Sequence, residues 1–257
     1  MSVHARGESP RITGKRPGLP YAPLVVFDFD HTLYDGDSGA HLVTWLLKRS
    51  WPRRIAALLA AVILGPMVAW LPTRRMGISG FLWIGTFEPL RPGVERRRQL
   101  DALIDRYVAA NAARLRARLL PVALEVLHRH RIAGDRVVIA TGAPPELARA
   151  ILDFVAHEDL PVVGSIEAPF LGGLVTAQHC HHRNKMRMLW DAGFDQIAVA
   201  YSDSSADLPL LLAAKKPVVV NPKYGRVEMF MRVLPAGTPI LNWGCVDRGG
   251  EPVAPAG

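Results

Sequence analysis

Apolar residues gather in this chain in two rhythms. Short unbroken runs read as strands buried on both faces of a parallel sheet: Leu24-Val25-Val26-Phe27, Arg136-Val137-Val138-Ile139-Ala140, Ile197-Ala198-Val199-Ala200-Tyr201 and Pro217-Val218-Val219-Val220. Between them lie stretches in helical rhythm, such as Asn184 to Ala192, where Met186, Leu189 and Trp190 recur at helical spacing. From Leu24 to Asn221 the two alternate, which predicts an α/β, Rossmann-like fold with a parallel sheet. Asn221-Pro222 stops the last run.

Residues 36–121 interrupt that alternation and read as an inserted all-helical cap. Ile55 to Leu71 contains no charged residue, nor does Met76 to Phe87, where Phe81, Trp83 and Phe87 stand among small residues. The first stretch reaches only the lower limit for a membrane span, and the second is too short for one. Gly65-Pro66 predicts a kink or break near the middle of the first. Lys48, Arg49, Arg53 and Arg54 precede it and Arg74 and Arg75 follow, which favours both ends on the cytoplasmic side. A single crossing would separate the polar residues ending the first strand from those ending the later ones, so crossings must be even in number or absent. The expectation is a re-entrant or interfacial hairpin that dips into the cytoplasmic leaflet; the competing reading is a helix buried in a cap core or dimer interface. In Arg96 to Arg118, Leu100, Leu103, Ile104, Tyr107 and Val108 mark an amphipathic helix that packs the cap onto the core.

Composition narrows the setting. The net charge of +8 would draw the chain to anionic lipid headgroups. Residues 1–21, basic and rich in Gly and Pro, read as a disordered arm without the apolar core of a secretory signal. Residues 22–35 and 122–245 make the expected catalytic core, and 246–257 a loose tail. Two cysteines, Cys180 and Cys245, cannot build a disulfide framework and fit a reducing compartment. His179-Cys180-His181-His182 lacks the spacing of a tetrahedral zinc site; its place before Lys185 suggests polar residues at the mouth of a pocket. No specific nucleic-acid motif is present.

The candidate chemistry sits where the strands end. The first gives Asp28-Phe29-Asp30-His31-Thr32, with Asp28 and Asp30 on one side and Phe29 on the other. Carboxylates this close repel unless a cation or proton lies between them, which suggests a metal site or a shared-proton pair. The second strand ends in Thr141-Gly142, and the third in Ser202-Asp203-Ser204-Ser205-Ala206-Asp207, with Lys185 opening a helix between them. Singly, these residues read as caps, turns or solvated charge.

Together, over residues 24–222, they resemble the phosphatases of the haloacid dehalogenase (HAD) superfamily, in the phosphoserine-phosphatase-like subfamily. The resemblance implies an aspartyl-phosphate formed on Asp28 and a general acid and base in Asp30. It implies phosphate binding by Thr32, Thr141, Gly142 and Lys185. It also implies Mg²⁺ held by Asp28, Asp203 and the backbone carbonyl of Asp30, with Asp207 behind them. His31 stands where many members carry Gly. The Phe81 to Phe87 segment, Cys180 shortly before Lys185, and Tyr201-Ser202-Asp203-Ser204 before Asp207 further resemble the phosphatidylglycerophosphatase C group. That implies a phospholipid substrate, phosphatidylglycerophosphate, cut to phosphatidylglycerol on the cytoplasmic side of a bacterial inner membrane. The alternatives are a soluble cytoplasmic phosphatase for a small ester such as phosphoserine, with the apolar cap hidden in a dimer, and a non-enzymatic membrane-bound protein on the same scaffold. The sequence leaves the oligomeric state open.

Overall fold

The computed structural model describes residues 22–70, 73–88 and 93–250. The basic arm expected at 1–21, and residues 251–257 of the expected tail, lie outside the described residues. In chain order come β1 (Leu24–Asp28), α1 (Ser38–Lys48), α2 (Trp51–Ala69), α3 (Arg74–Thr86), α4 (Gly93–Arg116), α5 (Pro121–Ile132), β2 (Arg136–Ala140) and α6 (Pro145–Ala156). They are followed by β3 (Val162–Val163), β4 (Ile166–Phe170), β5 (Gly173–Gln178), α7 (Arg183–Asp191), β6 (Ile197–Ser202), α8 (Leu208–Ala213), β7 (Lys216–Val220), α9 (Val227–Val233) and β8 (Ile240–Leu241).

Six strands form a parallel sheet in the order β3-β2-β1-β6-β7-β8. Every residue of β1 is buried, as an unbroken apolar run requires. Its side chains alternate between two cores. Val25 and Phe27 join Phe29 in one, while Leu24 and Val26 belong to the other with Met186, Leu210 and Phe230. The strand order reverses between β1 and β6, and at such a point the loops beyond the carboxyl ends part to leave a crevice.

Helices α1 to α4 fill the stretch proposed as the cap. Asp37 caps α1, its carboxylate accepting from the Ala40 amide at 2.8 Å. On α4, Leu100, Leu103, Ile104, Tyr107 and Val108 are buried and the helix packs on α6, as the amphipathic pattern predicts. Helices α2 and α3 lie against each other at glycines: a Cβ on Gly77 would sit 2.7 Å from Val68 Cγ2, and one on Gly80 2.9 Å from Leu64 Cδ1. The break expected at Gly65-Pro66 does not occur. Pro66 falls one turn from the end of α2, where its missing amide removes a single helical bond.

Two features depart from the sequence pattern. Strands β4 and β5 pair as an antiparallel hairpin outside the main sheet, turning at Leu171 and Gly172, both with positive φ. The hairpin is tied to α3: the Leu174 amide donates to Thr86 Oγ1 at 2.9 Å, the Thr176 amide to Ser79 Oγ at 3.0 Å, and Trp83 Nε1 to the Phe170 carbonyl at 2.9 Å. At the other end of the chain, residues 246–250 are structured, although the pattern suggested a loose tail from 246. Val246–Arg248 forms a 3₁₀ turn, with the Asp247 amide and Cys245 Sγ both donating to Asp35 Oδ1 at 2.9 and 3.1 Å.

Candidate active site

The carboxyl ends of β2, β1 and β6 stand side by side, so the residues that follow them gather at one edge of the sheet. There Lys185, 3% exposed, donates to Asp28 Oδ1 at 2.7 Å and to Asp207 Oδ2 at 2.6 Å. Asp207 Oδ2 also accepts from Ser202 Oγ at 2.9 Å, so Asp207 anchors the lysine. Thr32 Oγ1 lies 3.5 Å from Asp28 Oδ2, at the outer limit of a hydrogen bond. Burial alone would push the Lys185 pKa down, but the charges of Asp207 and Asp28 outweigh it and hold the ammonium protonated.

Asp30 lies apart from this knot. Its Oδ1 accepts from the Ser38 amide at 2.7 Å, at the start of α1. Burial, and then the charge of Asp37, raise its pKa to about 8. Asp203 is raised as well, by burial and next by the charge of Asp28, and the Arg248 guanidinium bonded to its Oδ2 works against that rise. Thr141 is fully buried; its Oγ1 accepts from the Ala143 amide at 3.1 Å and its own amide donates to the Val163 carbonyl at 2.9 Å. Gly142 follows, its carbonyl accepting from Ser165 Oγ at 2.6 Å, and a Cβ built on it would meet His179 Cε1 at 3.5 Å.

The structure thus brings Asp28, Thr32, Lys185, Asp203 and Asp207 into direct or charge contact, with Asp30 and Thr141 on adjoining loops. Asp28 and Asp203 are buried oxygen donors that repel each other, a donor set suited to a hard cation. Among the described residues no three His, Cys, Asp or Glu side chains close on a common point; Lys185 pairs with Asp28 and Arg248 with Asp203.

His31 has φ 60°, the left-handed region that favours glycine. Its ring reaches away from the knot, Nε2 lying 2.7 Å from Asp247 Oδ2, and its carbonyl accepts from Asn221 Nδ2 at 2.8 Å. Asp247, Arg248 and Asn221 are site neighbours that sequence reasoning missed. Only Asn221 carried a signal, as the residue stopping a strand. His179 and His181 are held neutral, each pKa lowered to about 4 chiefly by burial, and His181 Nδ1 is closed to solvent without a hydrogen-bond partner.

The family model of haloacid dehalogenase-like hydrolases matches residues 25–212, most of the chain. The chain belongs to that family. No curated protein sequence matches it. Among solved structures, a protein with unknown function from Bordetella pertussis Tohama I is similar at 20% identity and a TM-score of 0.66, covering 87% of this chain and 100% of that one. A HAD family hydrolase from Salmonella enterica serovar Typhi aligns at 19% identity and a TM-score of 0.51, covering 84% of this chain and 67% of that one. Cytosolic 5'-nucleotidase IIIB bound to cytidine gives 12% identity and 0.54 over 86% of this chain and 80% of that one. At such identities the likeness is one of fold.

Proposed function

We propose that this chain hydrolyses a phosphate monoester through an aspartyl-phosphate, and that its substrate is the phospholipid phosphatidylglycerophosphate, met at the cytoplasmic face of the cell membrane. The observation that carries the chemistry is the sealed Lys185 ammonium between Asp28 and Asp207. It sets positive charge beside the Asp28 carboxylate, to which a phosphoryl group would be transferred. Asp28 attacks phosphorus and the bond to the leaving oxygen breaks. Asp30, whose raised pKa keeps it protonated near neutral pH, gives that oxygen its proton. Water then attacks phosphorus and loses a proton to Asp30, and inorganic phosphate leaves with Asp28 restored. Thr32, Thr141, the backbone at Gly142 and Lys185 hold the non-bridging oxygens. Asp28, Asp203 and the Asp30 carbonyl would hold Mg²⁺, whose chemistry when bound is to neutralise phosphoryl charge.

The outer face of α2 supports the lipid reading. Ile55, Leu58, Leu59, Val62 and Ile63 recur at helical spacing and are 51–77% exposed, with Trp51 and Trp70 exposed at the two ends. This is the one helix among the described residues long and apolar enough to span a bilayer. The active-site strands lie on both sides of it in sequence, so we place it along the interface rather than across. Mg²⁺-dependent phosphate release should be measured from phosphatidylglycerophosphate in mixed micelles beside phosphoserine and glycerol 3-phosphate. The lipid is expected to be preferred, and Asp28→Asn to lose about 10³-fold or more in kcat. Full activity in Asp28→Asn would remove the mechanism. Equal turnover of the soluble esters would keep the phosphatase and return the α2 stripe to a dimer interface.

A further inference from the structure

Between α3 and the β4–β5 hairpin runs an open cleft of about 1140 Å³, and its composition is lopsided. Met76, Trp83, Ile166 and Phe170 give it apolar walls, Arg75 and Arg187 line it with positive charge, and among the described residues no acidic one lines it. Met76, Ile166 and Phe170 are 64%, 38% and 54% exposed, so these walls face open space rather than a packed core. The cleft is rigidly framed, since the hydrogen bonds from Trp83 to Phe170 and from Thr176 to Ser79 fix the hairpin to α3.

The cleft and the active site share a side chain, and Asn184 of the cleft lining precedes Lys185 in the chain. His179 lines the cleft and also stands against Gly142, the residue after Thr141. Arg75 is exposed at the start of α3, and among the described residues no carboxylate is bonded to it. It lies near enough to His179 and His181 that its charge acts on both imidazoles. Arg74, one residue earlier, does not line the cleft. The cleft therefore combines positive charge at Arg75 and Arg187 with apolar walls, and it shares His179 with the loop that follows Thr141.

We propose that this cleft seats the leaving group of an anionic amphiphilic phosphate monoester, Arg75 pairing with a second anionic group of the substrate and Met76, Trp83, Ile166 and Phe170 taking the first part of an acyl chain. This rests on the phosphatase reading above and adds the residues that select the substrate. An uncharged apolar ester would leave Arg75 unpaired, and a small polar one would leave the walls wet; a molecule with both parts satisfies both. Charge complementarity selects the occupant, because an anionic group at Arg75 meets no like charge among the described residues that line the cleft.

The test uses dihexanoyl phosphatidylglycerophosphate below its micelle threshold, so that no membrane takes part, and p-nitrophenyl phosphate, which has no second anion and no chain. The ratio of kcat/KM for the lipid to kcat/KM for the aryl ester is compared across wild type, Arg75→Ala and Phe170→Ser. Losing one charge-assisted contact is expected to lower that ratio about tenfold or more in Arg75→Ala, mainly through KM. Phe170→Ser, at an exposed position, lowers it less. A ratio within twofold of wild type for both variants would overturn the proposal. If wild type hydrolyses neither ester, the phosphatase reading falls, and the cleft is then judged by calorimetric titration with dihexanoyl phosphatidylglycerol. Binding weakened by Arg75→Ala supports the cleft, and binding that is absent or insensitive to it overturns the cleft.

Discussion

Asp203 shows how much a single carboxylate depends on what folds over it. Its place after β6 was legible from the residues themselves, as were Asp28, Asp30, Thr141 and Lys185, because each follows or opens a strongly patterned element. Arg248 was not legible: it lies 45 residues on, and nothing local marks it as a partner. The guanidinium and a divalent cation would compete for Asp203. Arg248→Ala is therefore expected to tighten Mg²⁺ binding, by about tenfold if a charge-assisted contact of ~1.5 kcal/mol is removed. Calorimetric titration with Mg²⁺ alone reads this without turnover; weaker binding in the variant would instead make Arg248 a support for the metal site. His31 was legible as an oddity in its motif, and its positive φ explains why glycine suits that position.

At the scale of elements, the parallel strands were visible because burial on both faces writes an unbroken apolar run. The β4–β5 hairpin was not, because Pro169 sits inside β4, the adjacent apolar pair Leu174-Val175 breaks the alternation of β5, and its anchors are hydrogen bonds to α3. The unbroken α2 was misjudged for another reason: a proline inside a helix removes one hydrogen bond and strains one turn, a local cost that the packing of α3 on α2 at Gly77 and Gly80 can offset. The hairpin also carries a pH sensitivity. Glu167 on β4 is 3% exposed, and burial first, then the charge of Glu146, raise its pKa to about 8 from 4.5. Its folded form prefers the proton, so this contribution to stability is complete below pH 4.5 and is lost as pH rises through 8. Glu167→Gln should match wild type in urea unfolding at pH 4.5 and exceed it by on the order of 2 kcal/mol at pH 9. A constant difference at both pH values would show that ionisation is not the cause.

At the scale of the whole molecule, one face gathers the apolar stripe of α2 and the basic residues beside it. Lys48, Arg49 and Arg54 flank the start of α2, with Arg54 stacked over Trp51 at 5.8 Å, and Arg74 begins α3. Leu58→Asp with Val62→Asp alters only exposed positions and should leave thermal unfolding nearly unchanged. It should weaken flotation with anionic vesicles by about a hundredfold, from ~3 kcal/mol of lost apolar burial. Wild type that stays with the soluble fraction at low salt would argue for a dimer instead. The sequence showed that this stretch was apolar; it could not show that α3 covers only one side of it, which is a matter of packing at Gly77 and Gly80. Those two glycines let α3 close on α2 from behind and leave the stripe outermost. An enzyme riding on that stripe would meet its substrate in two dimensions, so its rate would follow the mole fraction of substrate in the surface, and an inert lipid added at constant bulk substrate would slow it by dilution alone.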